Sequence, residues 1–79
     1  MKTAHDLFTE LMAVVDAAEL SQGEVFREAG ISTAQLTRWR REDHEPRLSN
    51  LRALAEAAKV VAARHGRVLG VLPTLDSLL

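Results

Sequence analysis

The chain has 79 residues, of which 47% are apolar and 27% charged, as expected for one small globular domain. It has no cysteine, which excludes disulfides and thiolate metal sites, and no apolar run approaches the roughly 20 residues of a membrane helix. The net charge is −1, but it is unevenly distributed. Residues 1–20 are mainly acidic, whereas residues 32–41 contain three arginines and no acid, which places the positive charge in a short central stretch.

The first half of the chain begins with two predicted helices. Residues 4–18 repeat apolar side chains at three- and four-residue steps, which predicts an amphipathic helix with Thr3 as its N-cap. Ser21 followed three residues later by Glu24 is a capping-box pattern. It predicts a second, shorter helix that ends near Ala29.

A glycine turn and a third helix come next. Gly30 adopts a left-handed backbone at little cost, so it is suited to a tight turn after the second helix. Ser32 is the predicted N-cap of a helix that runs to about Arg41. Leu36 and Trp39 are three residues apart and therefore lie on the same side of this helix, where they would anchor it to the core.

The pattern of the second half of the chain predicts one long helix followed by a short strand. A polar loop closed by Pro46 precedes a fourth helix, which begins at Leu48 or Ser49 and ends before Gly66. Residues 67–72 are apolar and partly β-branched, which favours a short strand.

Two short helices joined by a glycine turn have the geometry of a helix-turn-helix. One face of the third helix lies opposite its two apolar anchors, with small side chains at its N-terminal end and long cationic ones at its C-terminal end. Such a face would enter the major groove of DNA without steric conflict. Its residues are Thr33, Ala34, Thr37, Arg38 and Arg41.

Residues 20–55 resemble the helix-turn-helix domain of phage repressors and Cro proteins, the lambda repressor-like type. The resemblance implies an all-α domain of four to five helices that binds double-stranded DNA. The matching residues are Leu20-Ser21-Gln22, Glu24, Ala29-Gly30-Ile31-Ser32, Leu36, Trp39, Pro46, Leu48, Leu51, Leu54 and Ala55.

The resemblance also implies roles for single residues. Thr33, Ala34 and Arg38 would face base edges. Gln22 would contact a phosphate, with local helix capping as its alternative role. Arg38 also has two alternative roles, a phosphate contact or a surface ion pair.

Roles are also expected for three further arginines. Arg41 would hold the DNA backbone, and Arg47 would approach the minor groove or its phosphates. Arg40 is a departure from the family, which usually has Glu at this position, and it would contact a phosphate or form a salt bridge within the fold. Glu42 is a second departure, since the family usually has Gly there, so the path of the following loop is left open.

The end of the chain is apolar and invites two interpretations. It could fold back on the helices, or it could bury its surface against a second copy of the chain. We favour a homodimer, because a strand at residues 67–72 would have a free edge for pairing with its twin. The domain then spans residues 1–65 and the dimerising segment residues 66–79. The predicted dimer residues are Val68, Leu69, Val71, Leu72 and Leu75.

The predicted function is that of a cytoplasmic transcriptional regulator, nucleoid-associated when bound to DNA. It would act as a repressor of phage or prokaryotic type on a palindromic operator, with autoregulation expected from family analogy alone. The alternative is an antitoxin or adaptor that holds a protein partner through its C-terminal segment. No catalytic motif is present, and three histidines isolated in sequence do not indicate a metal site. We therefore expect no enzyme activity, cofactor, metal, membrane partner or small-molecule ligand.

Overall fold

The computed structural model describes residues 2–41 and 44–75, and these residues form helices and irregular segments without a strand. The predicted all-α fold is confirmed. No helix in the described ranges has the length and apolar character needed to cross a membrane. The helices, in chain order, are α1 (Ala4–Ala17), α2 (Gln22–Glu28), α3 (Ala34–Arg40) and α4 (Leu48–Arg64).

Side-chain caps fix the beginnings of α1 and α2. Thr3 Oγ1 accepts a hydrogen bond from the Asp6 backbone N–H at 3.0 Å, and Asp6 Oδ2 accepts one from the Thr3 backbone N–H at 3.1 Å. The bond from the Thr3 backbone is the main reason why the pKa of Asp6 lies below its usual value. At α2, Ser21 Oγ accepts from the Glu24 backbone N–H at 3.2 Å, so the N-cap is present, but the Glu24 carboxylate bonds to Arg64 and His65 and does not close the predicted capping box.

Three aromatic rings at the centre of the core join the first three helices. The ring centroid of Trp39 in α3 lies 5.6 Å from that of Phe8 in α1 and 5.7 Å from that of Phe26 in α2. All three side chains are buried. Because Trp39 is the one buried residue of α3, this cluster attaches the third helix to the rest of the domain. The other large, fully buried side chains are Leu7, Leu11, Val15, Val25, Leu51, Leu54 and Val61.

The start of α3 differs from the prediction by one residue. Thr33 rather than Ser32 is the N-cap, and its φ of −64° and ψ of −18° are already close to helical values. The Ser32 side chain closes a turn just before the helix, since its Oγ accepts from the Ala34 backbone N–H at 3.2 Å. Gly30 has a φ of 74°, as the predicted left-handed turn requires.

The predicted strand at residues 67–72 was wrong. Gly66, with a φ of 64°, ends α4, and the Arg67 backbone N–H donates back to the Ala62 carbonyl at 2.8 Å. The following residues 67–74 are irregular, and the described part of the chain contains no strand. Instead, Leu69, Leu72 and Leu75 pack against the helical core.

The turn between α1 and α2 contains a backbone strain that a glycine should relieve. Glu19 has a φ of 60°, a left-handed conformation that costs a residue with a Cβ about 1–2 kcal/mol. We expect Glu19→Gly to stabilise the fold by about 0.5–1 kcal/mol, after the entropy of the more flexible unfolded chain is subtracted. Its melting temperature, measured by circular dichroism, should rise by about 2–8 °C.

The matched control for this substitution is Glu19→Ala. Both variants lose the exposed ion pair between Glu19 Oε2 and Arg67 Nη1, which spans 3.1 Å, but alanine keeps the strained Cβ. The alanine variant should therefore melt no higher than the wild type. A glycine variant that melts at the same temperature as the alanine variant would show that the backbone strain at Glu19 does not lower the stability of the fold.

Candidate nucleic-acid interface

The outer side of α3 is an exposed surface, which we call the α3 outer face: Thr33, Ala34, Thr37, Arg38 and Arg41. Trp39 lies on the opposite side of the helix and is 4% exposed, while Leu36 is partly buried against the core. The predicted division of this helix into an anchored side and an exposed side is therefore present. It arises because two apolar residues three apart are the only strong anchors in seven residues of helix.

Three arginines near α3 keep their charge available. Arg38, Arg41 and Arg47 are exposed, and none of them makes an ion pair or a side-chain hydrogen bond within residues 2–41 and 44–75. Arg47 is the N-cap of α4 and follows the buried Pro46, which fixes the approach of the chain. Cations without a partner in the fold are suited to binding phosphates or base edges.

Gln22 and Arg40, both predicted to contact DNA, are bonded to each other. Gln22 Oε1 accepts a hydrogen bond from Arg40 Nη2, and Gln22 Nε2 donates to Asp16 Oδ1 at 2.8 Å. The three residues come from three helices and lie on the surface. We call them the Asp16–Gln22–Arg40 network. The contacts of Gln22 and Arg40 with DNA stay predictions.

Ion pairs from Arg64 and a hydrogen bond with His65 attach α2 to the end of α4. Arg64 Nη1 lies 3.0 Å from Glu24 Oε2, Arg64 Nη2 pairs with Glu28, and His65 Nε2 lies 2.9 Å from Glu24 Oε1. The bonds from His65 and then Arg64 hold the pKa of Glu24 below its usual value, and those from Glu28 and Glu24 raise the pKa of Arg64. These contacts support the helix that precedes the turn. Sequence reasoning missed them, because the partners are 36 to 41 residues apart.

The five residues predicted to form a dimer surface do not share one environment. Leu69, Leu72 and Leu75 pack against the helices of their own chain. In contrast, Val68 and Val71 are 90% and 94% exposed. Residues 67–75 thus fold back on the core, as one of the two interpretations held, and still present two large apolar side chains outward, while residues 76–79 of the predicted segment lie outside the described residues.

Comparison with known proteins agrees with this geometry. A family model described as Helix-turn-helix matches residues 11–60, a stretch that includes all of α2 and α3 and most of α4. Neither the curated proteins nor the solved structures gave a match. The matched stretch is more than half of the 79 residues, so the chain belongs to the lambda repressor-like helix-turn-helix family.

Proposed function

We propose that this protein is a transcriptional repressor that binds a palindromic operator in double-stranded DNA as a homodimer. Its family is one of DNA-binding regulators. The observation that carries the finer proposal is the α3 outer face, where small side chains precede two arginines that have no partner in the described chain. Bound at a promoter in the cytoplasm, the protein would block access to it.

Base reading is assigned to the exposed side chains of α3. The Arg38 guanidinium is a bidentate donor that matches the O6 and N7 acceptors of guanine in the major groove. Thr33 and Ala34 are small enough to let the helix approach closely, and the Thr methyl and Ala Cβ suit contact with a thymine methyl. Thr37 lies one turn after Thr33, where its hydroxyl could donate to or accept from a base edge.

Phosphate contacts are assigned to residues around that face. Arg41, at the C-cap of α3, and Arg47, at the N-cap of α4, are the candidates that bring free positive charge. Gln22, at the start of α2, is a further candidate, and Arg40, at the end of α3, donates a hydrogen bond to its side chain. Phosphate contacts of this kind fix register and orientation, whereas sequence is read by the base contacts.

Salt dependence tests whether these cations act on DNA. If Arg41 and Arg47 of each protomer neutralise one phosphate each, a dimer neutralises about four, and the logarithm of the binding constant should fall against the logarithm of salt concentration with a slope of about −3.6. Fluorescence anisotropy of a labelled operator duplex between about 50 and 200 mM salt measures this slope. A slope near zero would contradict the assignment of these arginines to the phosphates.

Dimer formation is assigned to the two exposed valines of the C-terminal segment. Val68 and Val71 leave apolar surface in water that pairing with a second copy would bury. The packed leucines Leu69, Leu72 and Leu75 hold the segment in place beneath them. A two-fold pair would place both α3 helices on one side of the duplex, about 34–36 Å apart, and would match a palindrome.

Replacing both valines by serine, as Val68→Ser with Val71→Ser, should convert a dimer into a monomer that keeps its helices. Sedimentation equilibrium measures the mass, and circular dichroism measures the helix content. The matched control is Val60→Ser on α4, since Val60 is also exposed, at 47%, but lies outside the segment. A double variant that stays dimeric would place the interface elsewhere. A wild type that is monomeric with and without DNA would instead favour the antitoxin or adaptor alternative.

A further inference from the structure

Three helices meet through the Asp16–Gln22–Arg40 network. Asp16 is in the last turn of α1, Gln22 is the first residue of α2, and Arg40 is the last residue of α3. Gln22 is the central member, because its side-chain nitrogen donates to Asp16 Oδ1 at 2.8 Å while its side-chain oxygen accepts from Arg40. Both ends of its amide are therefore held.

The chemistry of the two outer residues determines which way this amide points. A carboxylate only accepts hydrogen bonds, and a guanidinium only donates them. The amide nitrogen of Gln22 must therefore face Asp16, and its oxygen must face Arg40. One of the two N–H groups on Nε2 is used by Asp16. The direction of the second N–H group is set by the same two contacts. Within the described residues it has no acceptor, so it can donate to a further one.

Within the described residues, the side chain of Asp16 makes one hydrogen bond, which is the bond to Gln22. The C-terminal end of a helix carries partial negative charge, so an acid in the last turn of α1 is unfavourable, and no basic residue is present in that turn to offset it. An acid near a DNA-binding surface also repels phosphates. Its hydrogen bond to Gln22 is thus the contribution that it makes to this surface.

We propose that Arg40 is a positioning residue, which together with Asp16 orients the Gln22 amide so that its free N–H meets a DNA phosphate. Arg40 is then not itself a phosphate ligand. The inference rests on the proposed function, since it concerns how the same surface binds DNA. It differs from the sequence-based expectation, in which Gln22 and Arg40 contact phosphates independently.

The first experiment uses the protein without DNA. Nitrogen-15 relaxation of the Gln22 side-chain amide should give an order parameter close to that of the rigid backbone, about 0.85, in the wild type. In Arg40→Ala and in Asp16→Ala it should fall below about 0.6, the range of flexible groups. A wild-type Gln22 amide that is already flexible would overturn the inference, whatever happens with DNA.

The second experiment uses the tightest duplex selected from a random pool. Arg40→Ala and Gln22→Ala should each weaken binding about three- to tenfold, and the double variant no more than either single one. The salt slope of Arg40→Ala should stay at the wild-type value, because the weakened contact is made by the uncharged Gln22 amide and no cation is removed from a phosphate. Losses that multiply, with a slope smaller by about 0.9 per protomer, would make Arg40 an independent phosphate ligand and overturn the inference.

Asp16→Ala distinguishes best between two explanations, because they predict opposite changes in DNA affinity. Removing an acid should tighten DNA binding if only overall charge matters, whereas loss of the Gln22 contact should weaken it about three- to tenfold. Glu10→Ala is the matched control, since it removes one acid from the same helix outside the network. Tighter binding by Asp16→Ala would overturn this inference but not the proposed function. A wild type that binds no duplex would overturn the proposed function as well, so the two failures are distinguishable.

Discussion

Replacing Trp39 by alanine is expected to destabilise the domain by about 3–5 kcal/mol, the usual cost of removing a large buried aromatic side chain. Trp39 is 4% exposed and contacts the rings of both Phe8 and Phe26. A domain of 79 residues has a total stability of about 4–12 kcal/mol, so the loss is a large fraction of it. The variant should melt at least about 12 °C lower than the wild type by circular dichroism.

The conservative variant Trp39→Phe tests whether loss of aromatic packing causes the loss of stability. It keeps a ring in the aromatic cluster and should lose less stability than the alanine variant. Because α3 has no other buried side chain, operator binding should decline with stability in both variants. An alanine variant that melts within about 5 °C of the wild type would mean that Trp39 does not anchor α3.

The second large effect is expected from Arg38→Ala. Loss of a bidentate contact with guanine should cost about 1–3 kcal/mol in each half-site and remove the preference at one base position. Over a symmetric dimer with two independent half-sites this amounts to about 2–6 kcal/mol, or roughly 30-fold or more in affinity. Competition binding with operator duplexes changed at single positions measures both the loss and the altered preference.

Arg41→Ala is the matched control, because it removes an identical charge from the same face. Arg41 is assigned to a phosphate, so its loss should weaken all sequences alike and reduce the salt slope by about 0.9 per protomer. If Arg38→Ala behaves in this way too, with its base preference intact, then Arg38 binds the backbone and is not a reader of sequence.

Much of the fold could be predicted because its signals are local. The apolar steps of α1, the caps at Thr3 and Ser21 and the left-handed turn at Gly30 each depend on residues within about one helical turn of one another. The strand at residues 67–72 failed for the opposite reason. The apolar run correctly indicated that Leu69 and Leu72 would be partly buried, but a strand also needs a neighbour, and the described chain contains none.

The candidate site could be predicted only in part. The exposure of Thr33 and Arg38 follows from the positions of the anchors in the same helix. The bond between Gln22 and Arg40 joins residues 18 apart, and no local pattern indicates it. Asp16 offered one hint, which is that an acid is unfavourable where α1 ends. Such contacts depend on how the helices pack, and the sequence does not determine that by local rules.

Selection of duplexes from a random pool tests the central proposal most directly. The wild-type protein should enrich one sequence, made of two inverted half-sites whose centres lie about 10–10.5 base pairs apart, with a guanine at one fixed position of each half. The enriched duplex should bind a dimer. A pool from which no sequence is enriched, or in which every duplex binds equally, would contradict the account of a sequence-specific regulator that reads DNA through the α3 outer face.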